Sequence, residues 1–261
     1  MRADFLQEET GPLWIYEQPD PDETYVIGID CQEGKVRSRE AGAISERTGS
    51  KDPDFNAMSV IRLSDGLECA SYLSNFAPGL VVEDAFLLGH HYGKESGCEE
   101  NAFLVPEING PGVAVVEGLR ERQYDRMWVS KRWNRLDQCW DKSIGWRTTM
   151  ESRPIMVKAL QDEIREATTG IQCFRTVSHI ASMRYNKQGK AEAPYGAHDD
   201  LAFAQMLAIQ GRRALYHEPR EEETPLRRDP DRAYSDWVAK KEKEIEGESG
   251  EDIAPWEEMA W

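Results

Sequence analysis

Apolar and polar positions divide this chain into short β-branched runs and longer stretches with helical spacing. "TYVIGID", residues 24–30, is a continuous apolar run that ends on a carboxylate, the pattern of a buried strand closed by Asp30. "NAMSVIRL" and "LECASYL" read as two further strands, joined through Ser64, Asp65 and Gly66, where Asp-Gly favours a hairpin turn. With a long first connection and a tight second one, these strands begin a mixed or antiparallel sheet. From Pro78 the period changes. "PGLVVEDAFLLGHHYG" predicts a helix with His90 and His91 in its last turn and glycine at its end. "NAFLVPE" is again a short buried strand ending on a carboxylate, Glu107, and "GPGVAVVEGLRERQY" resumes helical spacing with Pro111 near its start.

"DRMWVS" predicts another strand, and the Trp-rich "KRWNRLDQCWDKSIGWRTT" an exposed, partly hairpin-like excursion. "SRPIMVKALQDEIREATTG" predicts an amphipathic helix capped by Ser152, with Pro154 in its first turn and Gly170 at its end. Residues 171–192 predict a helix or a strand pair, and "DDLAFAQMLAIQG" opens the last core helix. Strands that run together and then alternate with helices make this an α/β chain with a mixed β-sheet flanked by helices. The polar segment 31–55 has no period and reads as a loop or an extended hairpin tip. Residues 1–23 read as an N-terminal arm in which only Trp14, Ile15 and Tyr16 suit packing, residues 24–211 as the folded domain, and residues 212–261 as an acidic C-terminal tail, partly helical or flexible.

Composition narrows the function classes. No run is long or apolar enough to cross a bilayer, and the N-terminus lacks the apolar core of a signal peptide. Five widely spaced cysteines without a CxxC pair fit reduced thiols better than a disulfide framework or a zinc ribbon. A net charge of −16 argues against nucleic acid until its distribution is read. Residues 221–261 hold fourteen acids against six bases, whereas residues 120–190 hold fifteen bases against eight acids. A basic strip inside an acidic chain is compatible with phosphate binding, and equally with a solvated, salt-bridged helix face.

The candidate chemistry lies in carboxylates that share a topological position. Asp30 and Glu107 each end a buried strand, and Asp199 and Asp200 open a helix that can pack across the sheet. A single Asp would serve as a helix cap, but two adjacent acids repel each other unless a cation stands before them. Functional groups of open sheets gather outside the carboxyl ends of the strands. Carboxylates converging there form the clamp of a two-metal phosphoryl-transfer site, with ions about 4 Å apart. Hard oxygen ligands favour Mg²⁺ or Mn²⁺ over zinc, and the helix N-terminus keeps Asp199 and Asp200 ionised. His90, His91 and Cys98 match no metal-ligand spacing and read as a helix end. Asp52, Asp54 and Asp84 are candidate accessory acids in positions where exposed acids are ordinary. Trp128, Trp133, Trp140 and Trp146 suit core packing better than base stacking, because a duplex hides its bases.

In order along the chain, "YVIGID", "DPDFNAMSVIRL", "PEINGPGVAVVEGL", "GWRTT…RP" and "GKAEAPYGAHDDLAFA" resemble the nuclease domain of the large terminase subunit of tailed bacteriophages. The resemblance covers about residues 11–211. A strand ending in Gly-x-Asp is common, whereas the "EINGPG", "GWRTT" and "GAHDD" elements together are specific. The resemblance implies an RNase H-like fold and cleavage of concatemeric double-stranded DNA by two-metal hydrolysis during genome packaging, leaving 3′-hydroxyl and 5′-phosphate ends. Asp30 matches the first-strand acid, Glu107 the acid of the E-x-N-x-x-G element, and Asp199 and Asp200 the final pair. Asn109, Gly110 and Gly112 form the turn after Glu107, with Asn109 beside the acids, and His198 either orients an acid, touches a phosphate or is a plain turn histidine.

Lys131, Arg132, Arg135, Lys142 and Arg147 are the candidate phosphate contacts, which position DNA without reading its sequence. Lys35, Arg37, Arg39, Arg47 and Lys51 either brace DNA or line a solvated loop. Implied partners are double-stranded DNA, the terminase ATPase, the small terminase subunit and the portal protein, with no membrane, in the cytoplasm of the infected host at the procapsid portal. The chain departs from that pattern in lacking a G-x-x-x-x-G-K-[ST] loop, which predicts no ATP hydrolysis and a motor carried elsewhere. Two other readings compete: a catalytically idle module docking on portal or motor, and a junction-resolving nuclease of the same fold.

Overall fold

The structure is a computed structural model that describes residues 11–32, 55–134 and 138–217. A five-stranded sheet forms its centre, made of β1 (Leu13–Ile15), β2 (Tyr25–Asp30), β3 (Asn56–Arg62), β4 (Glu68–Ser74) and β5 (Phe103–Pro106). Their order across the sheet is β1-β4-β3-β2-β5. The pairs β2–β3, β3–β4 and β1–β4 are antiparallel, and β2–β5 is parallel. Leu13–Ile15, read from sequence as part of an arm, is instead the edge strand beside β4. The hairpin expected at Asp65-Gly66 joins β3 and β4, with Gly66 at φ +69°.

Helices α1 (Pro78–His91) and α2 (Gly112–Glu121) cover one face. The other carries α3 (Ser152–Glu166) and α5 (Asp200–His217), with α4 (Phe174–Ser182) packed on α5. Helix α3 ends at Ala167, whose φ of +54° supplies the left-handed cap expected of Gly170. Gly170 lies beyond it and pairs with Leu67. At its start, Ser152 is already helical, and its hydroxyl accepts the N–H of Thr149. The excursion is a two-stranded ribbon of β6 (Val129–Asn134) and β7 (Cys139–Ile144). The uncertain segment 171–192 resolves into both alternatives, helix α4 followed by a small hairpin of β8 (Arg184–Tyr185) and β9 (Ala191–Glu192).

The alternation of a strand decides which residues can meet. In β2, Tyr25, Ile27 and Ile29 pack with α1 and α2, so Val26, Gly28 and Asp30 point to the α5 side. In β5, Leu104 joins the first core, which sends Phe103, Val105 and Glu107 to the α5 side as well. Ile29 pairs with Pro106 in the parallel register, so the next pair is Asp30 beside Glu107. Both expected strand-end acids therefore share one face.

Gly28 sets how close α5 can come. A Cβ there would stand 2.0 Å from the carbonyl oxygen of Ala204 and 2.5 Å from the N–H nitrogen of Ala208. Ala204, Ala208 and Gly211 form the small-residue side of α5, while Met206, Leu207 and Ile209 are fully buried around it. Each of those larger side chains contributes about 1.5–3 kcal/mol of burial. Among the described residues no helix is long and apolar enough to cross a membrane.

Gly28→Ala is expected to destabilise the domain by at least about 2 kcal/mol, because its Cβ meets backbone that cannot rotate away. That corresponds to a fall in melting temperature of about 4 °C or more. Gly79→Ala, where a Cβ meets nothing within 4 Å in the first turn of α1, is expected to change stability in the opposite direction by up to about 1 kcal/mol. Thermal unfolding of both variants checks the pair of signs.

Candidate functional site

Asp30 and Glu107 stand at the carboxyl ends of adjacent parallel strands, and α5 begins above them. Moving four residues back along α5, from Ala204 to Asp200, covers about 6 Å. Moving two residues forward along β2, from Gly28 to Asp30, covers about 6.6 Å. Since Ala204 rests on Gly28, Asp200 comes to rest over Asp30. Asp30, Glu107 and Asp200 are only 3%, 9% and 5% exposed. Asp30, Glu107 and Asp199 line a cavity of about 310 Å³, closed by Gln32, Arg153, Lys190, Glu192, Phe203 and the loop 193–197.

Three buried acids with no cation among them must relieve their repulsion, and Asp30 shows how. Its carboxyl is held well above the usual carboxylate range, first by burial, then by the charge of Glu107 and a hydrogen bond to it, then by Asp200 and Asp199. Burial and the neighbouring negative charge thus favour the uncharged form of Asp30. Asp30 Oδ1 is buried with no hydrogen-bond partner among the described residues. This orphaned oxygen, in a set of purely carboxylate donors, suits a hard divalent cation. Among the described residues, no three His, Cys, Asp or Glu side chains close round one point as an ion-holding group.

The neighbouring groups orient the acids. Asn109 donates from Nδ2 to Glu107 Oε1 at 3.0 Å and to the Thr148 carbonyl at 2.8 Å. The turn that carries it needs both glycines: Gly110 has φ +59°, and a Cβ on Gly112 would stand 1.7 Å from the Glu107 carbonyl oxygen. The "GWRTT" segment runs beside this turn, with Trp146 donating to Pro106 O and accepting from the Ile108 N–H. Asp199 uses Oδ2 to accept the Ala193 N–H at 2.9 Å, tying the 193–197 loop to the start of α5. His198 Nδ1 lies 3.5 Å from Asp200 Oδ2, and its ring packs against Phe55 and His179.

Sequence reasoning missed further groups. His179, on α4, accepts the Leu201 N–H through Nδ1 at 3.2 Å and stacks on His198. Burial, then the proximity of His198 and Arg175, lowers its pKa to about 4, so it stays neutral and free to accept. Glu68, a buried strand residue, accepts the N–H groups of Gln172 and Cys173 and the Thr176 hydroxyl, fixing the start of α4. Arg153 and Lys190 line the cavity itself. Nothing local announces His179 or Glu68, since each acts across more than twenty residues of chain. Arg153 did carry a signal, a cation in the first turn of a helix, where the dipole disfavours it.

The expected phosphate contacts lie elsewhere. Lys131 and Lys142 are exposed opposite each other on the ribbon, and Arg147 is exposed after it; none of them lines the cavity. The Arg132 side chain, Arg135, the Trp133 side chain, Asp52, Asp54 and the basic residues Lys35, Arg37, Arg39, Arg47 and Lys51 lie outside the described residues, as do residues 218–261. Asp84 is on the α1 face, where it accepts from the Tyr72 hydroxyl at 2.5 Å, so it is no accessory to this site. His90 packs on Phe86 and Tyr124 at the end of α1, as expected of a helix end. Trp128 and Trp146 are half-buried and pack together against the core, whereas Trp140 is 60% exposed on the ribbon, against the expectation of core packing.

Raising the Asp30 pKa on folding gives a stabilising contribution that is present below its unfolded value and lost as pH rises through the raised value. Asp30→Asn is therefore expected to melt at least about 2 °C above wild type in EDTA at neutral pH. The gap should close as pH falls toward 4, where wild type keeps its proton. Melting curves of both proteins across that range read the sign directly.

No protein-family model matches the chain, and neither does any curated protein sequence. Solved structures do match. The magnesium-bound large terminase nuclease from thermophilic phage G20c superposes with a TM-score of 0.55 at 16% identity, over 78% of this chain and 89% of that one. The cobalt-bound form of the same nuclease gives the same values. The large terminase nuclease domain of Thermus phage P74-26 gives 0.50 at 16% identity, over 77% of this chain and 86% of that one. With its five-stranded mixed sheet flanked by helices, this chain has the RNase H-like fold of those nuclease domains.

Proposed function

We propose that this chain is a divalent-metal-dependent endonuclease that cuts concatemeric double-stranded viral DNA during genome packaging. The observation that carries the reading is the gathering of Asp30, Glu107, Asp199 and Asp200 at the carboxyl ends of β2 and β5, with the Asp30 oxygen orphaned. A merely structural domain has no use for buried like charges. The order of sequence elements, the shared fold and the magnesium and cobalt held by the G20c nuclease all support it.

In this reading Asp30, Glu107, Asp199 and Asp200 hold the cations, Mg²⁺ or Mn²⁺, in a two-ion arrangement. The chemistry supplied by bound cations is activation of water and neutralisation of charge on the departing oxygen. The chain's own residues do the positioning. Asn109 fixes the Glu107 carboxylate through its bridge to Thr148. Neutral His179 holds the first turn of α5, and with it the backbone that presents Asp200. Water attacks phosphorus in line, the P–O3′ bond breaks, and the products carry a 3′-hydroxyl and a 5′-phosphate. The exposed Lys131 and Lys142 offer the duplex backbone contacts that carry no sequence information. Packaging assigns the remaining partners, the terminase ATPase, the small subunit and the portal protein, and the place, the procapsid portal in the host cytoplasm.

Plasmid incubated with purified protein tests this. Nicking and linearisation are expected in Mg²⁺ or Mn²⁺ and not in EDTA, with activity lost in Asp30→Asn and Asp200→Asn. Asn109→Ala, which leaves the acids in place but releases Glu107 from its bridge to Thr148, is expected to cut about 10–100-fold more slowly. Absence of cleavage with either metal sinks the nuclease reading in favour of an idle docking module. Cleavage that survives both acid substitutions assigns the chemistry to other residues.

A further inference from the structure

Among the described residues lining the acidic cavity there are two cations, and they are held in different ways. Lys190 is paired with Glu192, Nζ to Oε2 at 2.7 Å, so its charge is already answered. Arg153 is not. Among the described residues no carboxylate lies within ion-pair distance of it, although it shares a wall with Asp30, Glu107 and Asp199. Its charge reaches Glu192, which Lys190 already holds, only at longer range.

Its guanidinium is instead fixed by uncharged groups. Nη1 donates to the Ala191 carbonyl at 3.0 Å, and the group stacks over the Phe203 ring with Cζ 4.3 Å from the centroid. These contacts hold the planar fork without consuming its charge and leave further N–H donors for a ligand. Phe203 lies one turn into α5, and Ala191 lies in β9, so the same helix and hairpin that bound the cavity also set the arginine. Arg153 sits in the first turn of α3, where the helix dipole disfavours a cation and favours an anion.

We infer that Arg153 is a substrate-anchoring residue that holds a DNA backbone phosphate beside the acid cluster, and that it, rather than the ribbon lysines, sets the position of the strand to be cut. The inference rests on the nuclease reading above. The ligand chemistry is a phosphodiester oxyanion pair, which matches the guanidinium fork and suits lysine less well. The acids repel such a phosphate, and a fixed, unpaired cation at the cavity wall offsets that repulsion where the strand passes.

The test compares wild type, Arg153→Met, Arg153→Lys and Arg153→Gln. Cleavage kinetics are measured on plasmid in Mg²⁺. Binding of a short labelled duplex is measured across salt concentrations with each substitution placed on an Asp30→Asn background, where no cutting intervenes. Arg153→Met keeps an apolar stem against Phe203, and Arg153→Gln keeps a donor for Ala191 O if the Met variant melts low.

Loss of one phosphate contact is expected to make the slope of log affinity against log salt shallower by about 0.9. KM should rise at least about five-fold while kcat stays within about two-fold, the pattern of lost binding common to ground and transition states. Arg153→Lys should restore the slope but not the full affinity. A slope and KM unchanged in both neutral variants, in a preparation whose wild type binds and cuts, overturn the assignment alone. A wild type that neither binds nor cuts overturns the nuclease reading and the assignment with it.

Discussion

Helix α5 lies against β2 at a separation that only glycine permits, and the site is a consequence of that contact. With Gly28 under Ala204 and Ala208, the helix axis is fixed along the strand and its first residue falls over the strand's last. One helical turn and two strand residues have nearly the same length, which brings Asp200 to Asp30. Parallel pairing of β2 with β5 then brings Glu107 alongside. The acids are thus gathered by backbone packing and register. The outer supports are longer-ranged: Glu68 fixes the start of α4, His179 on α4 holds the first turn of α5, and Asn109 ties Glu107 to the "GWRTT" segment.

This arrangement works against stability. Asp30, Glu107 and Asp200 are buried, and burial together with the neighbouring charges makes ionisation of Asp30 unfavourable. A fold selected for stability alone would replace at least one of them with an amide. Their retention, with an oxygen left orphaned, is what connects the geometry to cation binding and, through it, to phosphodiester chemistry. The cations of the cavity wall fit the same account. Lys190 is already paired, Arg153 is fixed without being paired, and the ribbon lysines stand clear of the cavity.

What the sequence made legible was local. The continuous apolar runs that close on Asp30 and Glu107 are strands, and the two-residue alternation of a strand puts both acids on one face. The glycines after Glu107 announced a turn, and Gly112 lies against the Glu107 carbonyl within it. What stayed hidden depends on tertiary partners. Three residues of an arm become an edge strand only because β4 offers a free edge, a fact no window of thirteen residues contains. Ala167 takes the left-handed cap because Gly170 is drawn away to pair with Leu67. Charge counting favoured the ribbon as the basic element, since clustering along the chain is visible and clustering in space is not. Arg153 and His179 reach the site from separate helices; His179 is inconspicuous in its own segment, and Arg153 is marked only by its place in a first helical turn.

The central claim is that the gathered acids hold a divalent cation, and metal-dependent stabilisation tests it without relying on catalysis. Protein stripped with EDTA is titrated with Mg²⁺ or Mn²⁺ while its melting temperature is followed, beside Asp30→Asn. The account predicts a rise that grows with the logarithm of metal concentration, about 2.7 kcal/mol at a hundred times the dissociation constant, and little or no rise in the variant. A wild type whose melting temperature ignores both metals, or a variant that responds equally, would contradict it.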